Sequence, residues 1–183
     1  FEALDDKKYN VPKEACLIAD DKKILGLGGI IGGQSSAIDY DTKNIVLEAA
    51  AFDPVKIAKI SKQLGIITDA KFRFERGVDP NSIENGLRLA AKLVQEICGG
   101  KISKINIAGN TKFKNIKIKF DVNNFEKLIG FSVSSKDCQK ILEKLGFKVK
   151  VKKQLLDVDV PSWRPDVNQE ADVIEEILRI KGL

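Results

Sequence analysis

Four acidic residues near the end of the chain have the side-chain chemistry of a divalent-cation site. Asp172, Glu175 and Glu176 are spaced i, i+3 and i+4, so a helix would place them on one face. Asp166 lies six residues upstream in a Trp-Arg-Pro-Asp turn that could fold back toward that face. Mg²⁺ prefers carboxylate oxygens and keeps several waters, which a loose acidic cluster satisfies. The pattern also fits a solvated acidic face near a helix N-terminus, which the helix dipole favours.

Glu48 is the single ionisable residue in the apolar run of residues 45–52. A buried carboxylate is costly unless it is paired or hydrogen-bonded. Glu48 therefore either points to solvent at a strand edge, pairs with Arg73 or Arg76, or is a polar anchor in an apolar pocket. In the last case its carboxylate could select a ligand that carries a hydroxyl.

Residues 26–33 contain five glycines, in the sequence GLGGIIGG. The spacing does not match the dinucleotide fingerprint GxGxxG, because Ile31 stands where the third glycine is required, and no Lys-Ser/Thr follows as in a phosphate-binding loop. Glycines also let a backbone turn tightly or approach a ligand closely. The segment predicts a tight backbone and disfavours a dinucleotide-dependent enzyme.

The composition excludes several kinds of site. The 183 residues include no histidine, which excludes Ser-His-Asp and Cys-His catalysis within this chain. Cys16, Cys98 and Cys138 are isolated and form no CxxC pair, so we expect free, buried thiols in a reducing cytoplasm. No apolar run reaches the roughly 20 residues of a membrane span. The first residue is not Met, and the sequence begins in the middle of a pattern of residues. We therefore interpret the chain as an excised fragment.

Two groups of helices and strands are predicted to position these residues. In the first group, Asp53-Pro54 supplies an N-cap and a first-turn proline, and Gly65 is placed to end the helix. Alternation of Phe72 and Phe74 with charged residues favours a strand there. The remaining predictions are a buried strand at 44–52, a helix beginning at Asp79-Pro80 and ending at Gly99, and a half-buried strand at 102–107.

The second group is compact and rich in lysine. Residues 113–150 carry nine lysines against four acids. Ser134 and Asp137 have the spacing of a capping box. The predicted elements are strands near 116–120, 147–151 and 155–160, and helices near 123–129, 134–145 and 168–181. We expect a mixed α+β (α/β) fold, with a first domain at 1–112 and a small α+β domain with a three-helix, helix-turn-helix-like core at 113–183.

Two segments carry a resemblance to a known family. They are residues 68–80, TDAKFRFERGVDP, and residues 161–166, PSWRPD, about 80 residues apart. In this order they resemble the β subunit of bacterial phenylalanyl-tRNA synthetases. The resemblance runs from about residue 18 to 183 and implies the C-terminal half of a tRNA-editing domain, followed by the small domain that comes next in that subunit.

The resemblance also implies residue roles. It implies an editing pocket for tyrosine at Gly29, Gly32, Glu48 and Ala70, in which Glu48 binds the tyrosine hydroxyl and Ala70 leaves room for the side chain. It implies that Asp166, Asp172, Glu175 and Glu176 hold Mg²⁺ shared with the α subunit. The family's pocket also uses upstream residues, including a histidine, that this chain lacks. The isolated chain is therefore expected to be inactive.

The function implied by the resemblance is a share in ATP-dependent attachment of phenylalanine to tRNA(Phe), with hydrolytic editing of mischarged Tyr-tRNA(Phe). The implied partners are an α subunit that binds ATP, a second β subunit in an α2β2 assembly, and tRNA(Phe), with no membrane. Phenylalanine and tyrosine differ by one hydroxyl, and a hydrophobic aminoacylation pocket rejects an added hydroxyl poorly. A second site that hydrolyses the mischarged tRNA is therefore useful. A non-catalytic nucleic-acid-binding module is the alternative, based on the lysine-rich second domain and the net charge of +5.

Overall fold

The computed structural model describes residues 1–109 and 115–182. Contacts divide the chain into two compact units, Phe1–Ile107 and Ala108–Leu183. The predicted domain boundary between residues 112 and 113 falls within residues 110–114, outside the described residues, and stays a prediction. The mixed α+β class is confirmed, because both helices and antiparallel sheets are present.

A small antiparallel sheet in unit 1 holds the glycine-rich segment. Its strands are β1 (Leu17–Ala19), β2 (Ile24–Leu27) and β3 (Ile31–Gly32), paired in the order β1-β2-β3. The turn between β2 and β3 is closed by the Ile30 amide, which donates to the Leu27 carbonyl at 2.9 Å. Gly29 has a φ of +70° in this turn, a conformation that glycine adopts without the cost an L side chain meets.

Three helices follow in unit 1. Helix α1 (Pro54–Leu64) begins where the sequence predicts, because the Asp53 carboxylate accepts the amide hydrogens of Val55 and Lys56, and it ends at Gly65 with a φ of +68°. Helix α2 spans Asp69–Phe74 and α3 spans Ile83–Cys98, after a short 3-10 turn at Pro80–Ser82. The core of unit 1 lies between α1 and the sheet and consists of Leu27, Ile30, Ile57, Ile60 and Ile66.

Three strand predictions in unit 1 are wrong. Residues 72–76 lie in and just after helix α2, because the Thr68 side chain accepts the Lys71 amide and caps a helix there. Residues 44–52 and 102–107 form no strand. A strand needs a partner for its backbone hydrogen bonds, and neither segment pairs with a strand within the described part of unit 1.

Unit 2 is a three-stranded antiparallel sheet covered by three helices. Its strands are β4 (Lys117–Asp121), β5 (Lys148–Lys152) and β6 (Leu155–Asp159), in the order β4-β6-β5. Its helices are α4 (Val122–Ile129), α5 (Ser135–Lys144) and α6 (Glu170–Lys181). These six elements confirm the predicted ones to within two residues, whereas the helix-turn-helix detail stays a prediction. Phe120, Phe125, Leu142, Leu156 and Ile177 are fully buried in its core.

Candidate functional site

The turn between β2 and β3 is covered by the ring of Phe52. A Cβ atom built on Gly28 would lie 2.7 Å from Phe52 Cε1, and one built on Gly29 would lie 2.7 Å from Phe52 Cδ2 and 3.0 Å from Ile57 Cδ1. The Phe52 ring also meets Phe74 of α2 edge to face, with 5.1 Å between ring centroids. The two glycines are therefore required for packing against Phe52, whatever they do toward a ligand.

Thr68 ties α2 to the same turn. Its Oγ1 donates to the Ile30 carbonyl at 2.6 Å and accepts the Lys71 amide hydrogen at 3.1 Å. The bond to the Ile30 carbonyl fixes the start of α2, whose first turn contains Ala70, to the turn that contains Gly29. Sequence reasoning missed Thr68 as a positioning residue, although its place as the N-cap before an Asp in the first helical turn is a recognisable signal.

Glu48 is exposed. It forms no ion pair within the described residues. Arg76 instead pairs with Glu75 and lies 3.6 Å from the Phe72 ring centroid. Partial desolvation by neighbouring atoms nevertheless raises the pKa of the Glu48 carboxyl. Glu48 and Phe52 are four positions apart in the sequence, so their Cα atoms are separated by at most about 14 Å. The structure thus ties α2, which carries Ala70, to the turn that carries Gly29, and a shared pocket with Glu48 stays a prediction.

Glu176 is the centre of an ion-pair network in unit 2. Its carboxylate accepts two hydrogen bonds from Arg164, each 2.8 Å long, and one from Arg179 at 2.6 Å. The side chain of Glu176 is only 6% exposed. Hydrogen bonding to Arg164 holds the pKa of the Glu176 carboxyl below its usual value, so the carboxylate is ionised and neutralised by protein groups.

The other three members of the acidic quartet have separate environments. Asp166 is bound by the same Arg164 guanidinium, at 2.6 Å. Asp172 caps α6 by accepting the amide hydrogens of Asn168 and Gln169, and these bonds lower the pKa of its carboxyl. Glu175 is exposed. Across residues 1–109 and 115–182, no three Cys, Asp or Glu side chains are gathered as a metal would require. In this arrangement the quartet does not fit Mg²⁺, because Arg164 stands where a cation would bind Asp166 and Glu176.

Comparison with protein families assigns the two units. A model described as "B3/4 domain" matches residues 1–99, more than half of the chain. The chain belongs to the B3/4 domain family. A second model, described as "tRNA synthetase B5 domain", matches residues 118–183 of this B3/4-family chain.

Curated relatives align with the B3/4-family chain along nearly its whole length. The phenylalanine–tRNA ligase β subunit of Mesorhizobium japonicum is 39% identical over 181 residues, 99% of this chain. Those of Rhodopseudomonas palustris and Bradyrhizobium diazoefficiens are 42% and 41% identical over the same share. The chain spans only 22–23% of the length of these relatives. The resemblance to phenylalanyl-tRNA synthetase β subunits is thereby confirmed.

The lysines of the B5-matching unit alternate with aspartates across the sheet. On its outer face Asp159 of the central strand lies between Lys117 and Lys148, and Asp157 lies between Lys119 and Lys150. Lys152 also bonds Asp157 at 2.8 Å. The central acidic row offsets the two lysine rows, so this surface is less attractive to a polyanion than the lysine count alone predicts. None of the described helices is both long and apolar enough to cross a bilayer.

Proposed function

We propose that this chain is part of the β subunit of a phenylalanine–tRNA ligase, an enzyme that attaches phenylalanine to tRNA(Phe) at the expense of ATP. The observation that carries the proposal is the 39–42% identity to such β subunits along 99% of the chain. The order of the two matched domains, B3/4 and then B5, supports it. The partners of the whole enzyme are an α subunit that binds ATP, a second β subunit in an α2β2 assembly, and tRNA(Phe), in the cytoplasm.

Unit 1 would contribute to hydrolytic editing of Tyr-tRNA(Phe). The Thr68–Ile30 hydrogen bond joins α2, which carries Ala70, to the turn that carries Gly29, and Gly32 lies in β3 directly after that turn. The small side chains of Gly29, Gly32 and Ala70 would let a ligand approach the backbone, at positions where Phe52 and Leu4 now lie over Gly29 and Gly32. Glu48 would supply the selective contact, because a carboxylate accepts the hydrogen bond that a tyrosine hydroxyl donates and phenylalanine leaves the carboxylate unpaired.

The role of Glu48 in this proposal is selection and not proton transfer. The desolvation that already raises the pKa of its carboxyl would increase on closure of a pocket around it. A desolvated carboxylate discriminates more strongly between tyrosine and phenylalanine. When phenylalanine is bound, no water is present to donate the hydrogen bond that the tyrosine hydroxyl would donate. The hydrolytic water would be positioned by backbone groups, by the tRNA or by residues elsewhere in the subunit.

The decisive experiment measures deacylation of Tyr-tRNA(Phe) by the complete synthetase carrying Glu48→Ala or Glu48→Gln. We expect Glu48→Ala to lower Tyr hydrolysis by about tenfold or more, the equivalent of a lost hydrogen bond of about 1.4 kcal/mol or more. Glu48→Gln should lower it less, because the glutamine amide oxygen still accepts a hydrogen bond. Aminoacylation with phenylalanine should be unchanged in both. Glu14→Ala is the matched control, because Glu14 is also an exposed carboxylate of unit 1. Unchanged Tyr hydrolysis in the Glu48 variants would refute the pocket assignment.

Mg²⁺ binding by Asp166, Asp172, Glu175 and Glu176 remains a proposal for the complete enzyme. It requires Arg164 to leave both Asp166 and Glu176, which it now bridges. Equilibrium dialysis with Mg²⁺ should then show one fewer ion bound per β subunit in Asp172→Asn than in the parent enzyme. Equal stoichiometry would place the bound Mg²⁺ elsewhere. We derive no catalytic step from this metal.

A further inference from the structure

The aromatic ring of Phe52 lies across both glycines of the turn between β2 and β3. Its Cε1 and Cζ atoms are 2.7 and 3.1 Å from a Cβ atom built on Gly28, and its Cδ2 and Cγ atoms are 2.7 and 3.3 Å from one built on Gly29. Opposite edges of one ring thus rest on two neighbouring residues that have no side chain. The turn is a floor for an aromatic ring, because a side chain on either glycine would force the ring to move.

Two apolar side chains complete this site. The ring of Phe74 meets the Phe52 ring edge to face, with 5.1 Å between centroids and 70° between planes, an arrangement that aromatic pairs favour. Ile57 Cδ1 lies 3.0 Å from the Cβ atom built on Gly29. We call Gly28, Gly29, Ile57 and Phe74 the ring site. A tyrosine ring has the same flat shape as the Phe52 ring and adds one hydroxyl, so a site that fits the first fits the second.

The floor of the ring site is fixed, whereas Phe52 is held by packing alone. The Thr68 hydroxyl donates to the Ile30 carbonyl at 2.6 Å and anchors the turn to α2. Among the residues that the structure describes, no hydrogen bond joins residues 43–52 to the rest of the chain. Phe52 itself is only half-buried. Its ring can therefore leave the ring site without breaking a hydrogen bond of the described chain.

We infer that Phe52 is a gate residue for editing: its ring fills the place of the tyrosyl ring and has to leave before mischarged tRNA binds. The inference rests on the proposed editing role of unit 1 and adds a residue to which the sequence analysis gave no role. An internal group that fills a site weakens the apparent affinity of every ligand, because only the molecules with an empty site bind. The factor is the same for tyrosine and phenylalanine.

A gate of this kind suits an editing site, because Phe-tRNA(Phe) would be the product of the same enzyme. The side chain of phenylalanine carries the same ring as Phe52, and it has no hydroxyl to donate to Glu48. It therefore gains no contact in the ring site that Phe52 does not already make. The tyrosyl hydroxyl adds a hydrogen bond that offsets the displacement of Phe52. Phe52 thus lowers the hydrolysis of correctly charged tRNA, and Glu48 sets the preference for tyrosine.

A series of substitutions at position 52 of the complete synthetase tests the gate. The measured quantity is kcat/KM for deacylation of Tyr-tRNA(Phe) and of Phe-tRNA(Phe). We expect both values to rise by about threefold or more in Phe52→Ala, mainly through a lower KM, because the ring site is then empty more often. They should rise less in Phe52→Leu and fall in Phe52→Trp. A purely structural ring predicts the fastest deacylation with phenylalanine at position 52. That result, or no change in any variant, would overturn the inference.

Leu64→Ala is the matched control for lost packing. Leu64 is also partly buried against the core of unit 1, but it lies at the C-terminal end of α1. Its substitution should not raise kcat/KM for either tRNA, and a rise equal to that of Phe52→Ala would overturn the inference. Aminoacylation with phenylalanine shows that each variant is folded and assembled. If Phe52→Ala fails this check, the opposite effects expected of Phe52→Leu and Phe52→Trp decide the question.

The ratio of the two deacylation reactions separates the gate from the selective contact. Substitutions at Phe52 should change the hydrolysis of Tyr-tRNA(Phe) and Phe-tRNA(Phe) by the same factor, whereas Glu48→Ala should lower the ratio of the first to the second. A Phe52→Ala variant that changes only this ratio would overturn the gate. If Glu48→Ala leaves Tyr hydrolysis unchanged and the Phe52 series is graded as expected, the role of Glu48 is refuted and the gate is supported.

Discussion

The guanidinium of Arg164 donates two hydrogen bonds, each 2.8 Å long, to the carboxylate of Glu176. The pair joins the turn after β6 to helix α6, because Arg164 lies in the loop and Glu176 in the second turn of the helix. A buried carboxylate must be paired to be tolerated. Arg164 is therefore a structural cation of unit 2.

Arg164→Ala should destabilise unit 2. Breaking a buried ion pair costs about 3–5 kcal/mol, and we expect about 2 kcal/mol here, because Arg164 is partly exposed and Arg179 still binds Glu176. Urea unfolding of the whole chain measures the loss. Arg179→Ala is the control and should cost less than about 1 kcal/mol, since Arg179 is 55% exposed. Equal losses for the two variants would contradict a dominant role for Arg164.

Gly29→Ala should destabilise unit 1 more than Gly65→Ala. Both residues have a φ near +70°, so both substitutions incur about 1–2 kcal/mol of backbone strain. A Cβ on Gly29 also lies 2.7 Å from the Phe52 ring, whereas nothing lies within 4 Å of a Cβ on Gly65. Overpacking adds about 1–3 kcal/mol.

The additional cost should fall when Phe52→Leu is combined with Gly29→Ala. A double-mutant cycle of unfolding free energies would then show coupling between positions 29 and 52 and none between positions 65 and 52. If Gly29→Ala and Gly65→Ala lower the free energy of unfolding equally, the Phe52 ring moves away from a Cβ at position 29 without loss of stability, and the prediction is wrong.

Gly146→Ala should displace Trp163. Gly146 has a φ of +89°, and a Cβ there would lie 2.8 Å from Trp163 Cζ2. Trp163 is the only tryptophan of the chain, so the tryptophan fluorescence reports on the surroundings of this one ring. Gly130→Ala is the control, with a φ of +93° and no neighbour within 4 Å. Both variants should lose about 1–2 kcal/mol to strain, but only Gly146→Ala should shift the emission maximum. A shift in both, or in neither, would contradict the contact.

Cys138 should make stability depend on pH in the alkaline range. Burial raises the pKa of its thiol to about 11, from about 9 in an unfolded chain. The neutral thiol is the form that the core accepts, so its contribution is present below pH 9 and is lost as the pH rises from 9 to 11. Cys138→Val removes the titrating group at similar volume and should lose less stability between pH 9 and 11. Parallel pH profiles for the two proteins would contradict this assignment.

Thiol labelling gives a second check on the same residue. The prediction that all three cysteines are buried is wrong for Cys16 and Cys98, which are exposed and should react with a maleimide in the folded protein, whereas Cys138 is buried and should react only after unfolding. Labelling of all three at equal rates would mean that α5 opens readily.

Local signals in the sequence determined the elements that depend on nearest neighbours. Asp53-Pro54 and Gly65 bounded α1 correctly, and Ser134 marked the start of α5, because caps act over three or four residues. The helices and strands described in unit 2 were predictable for a related reason. Apolar residues alternate along β4 and β6, and the core residues against which they pack lie within the same unit, fewer than 70 residues away in the sequence.

Tertiary structure decided what depends on residues distant in the sequence. Residues 44–52 and 102–107 have strand patterns but no partner, and pattern alone cannot show whether one exists. Phe52 packs on Gly29, 23 positions earlier in the sequence. Arg164 binds the carboxylates of Asp166 and Glu176, whereas the sequence pattern left open a divalent-cation site or a solvated acidic face. The sequence by itself determined residue types, caps and family resemblance, because these are local or cumulative properties of the chain. Only the tertiary structure decided which cation neutralises Glu176 and which ring covers the glycine turn, because such pairings depend on distances that the order of residues does not contain.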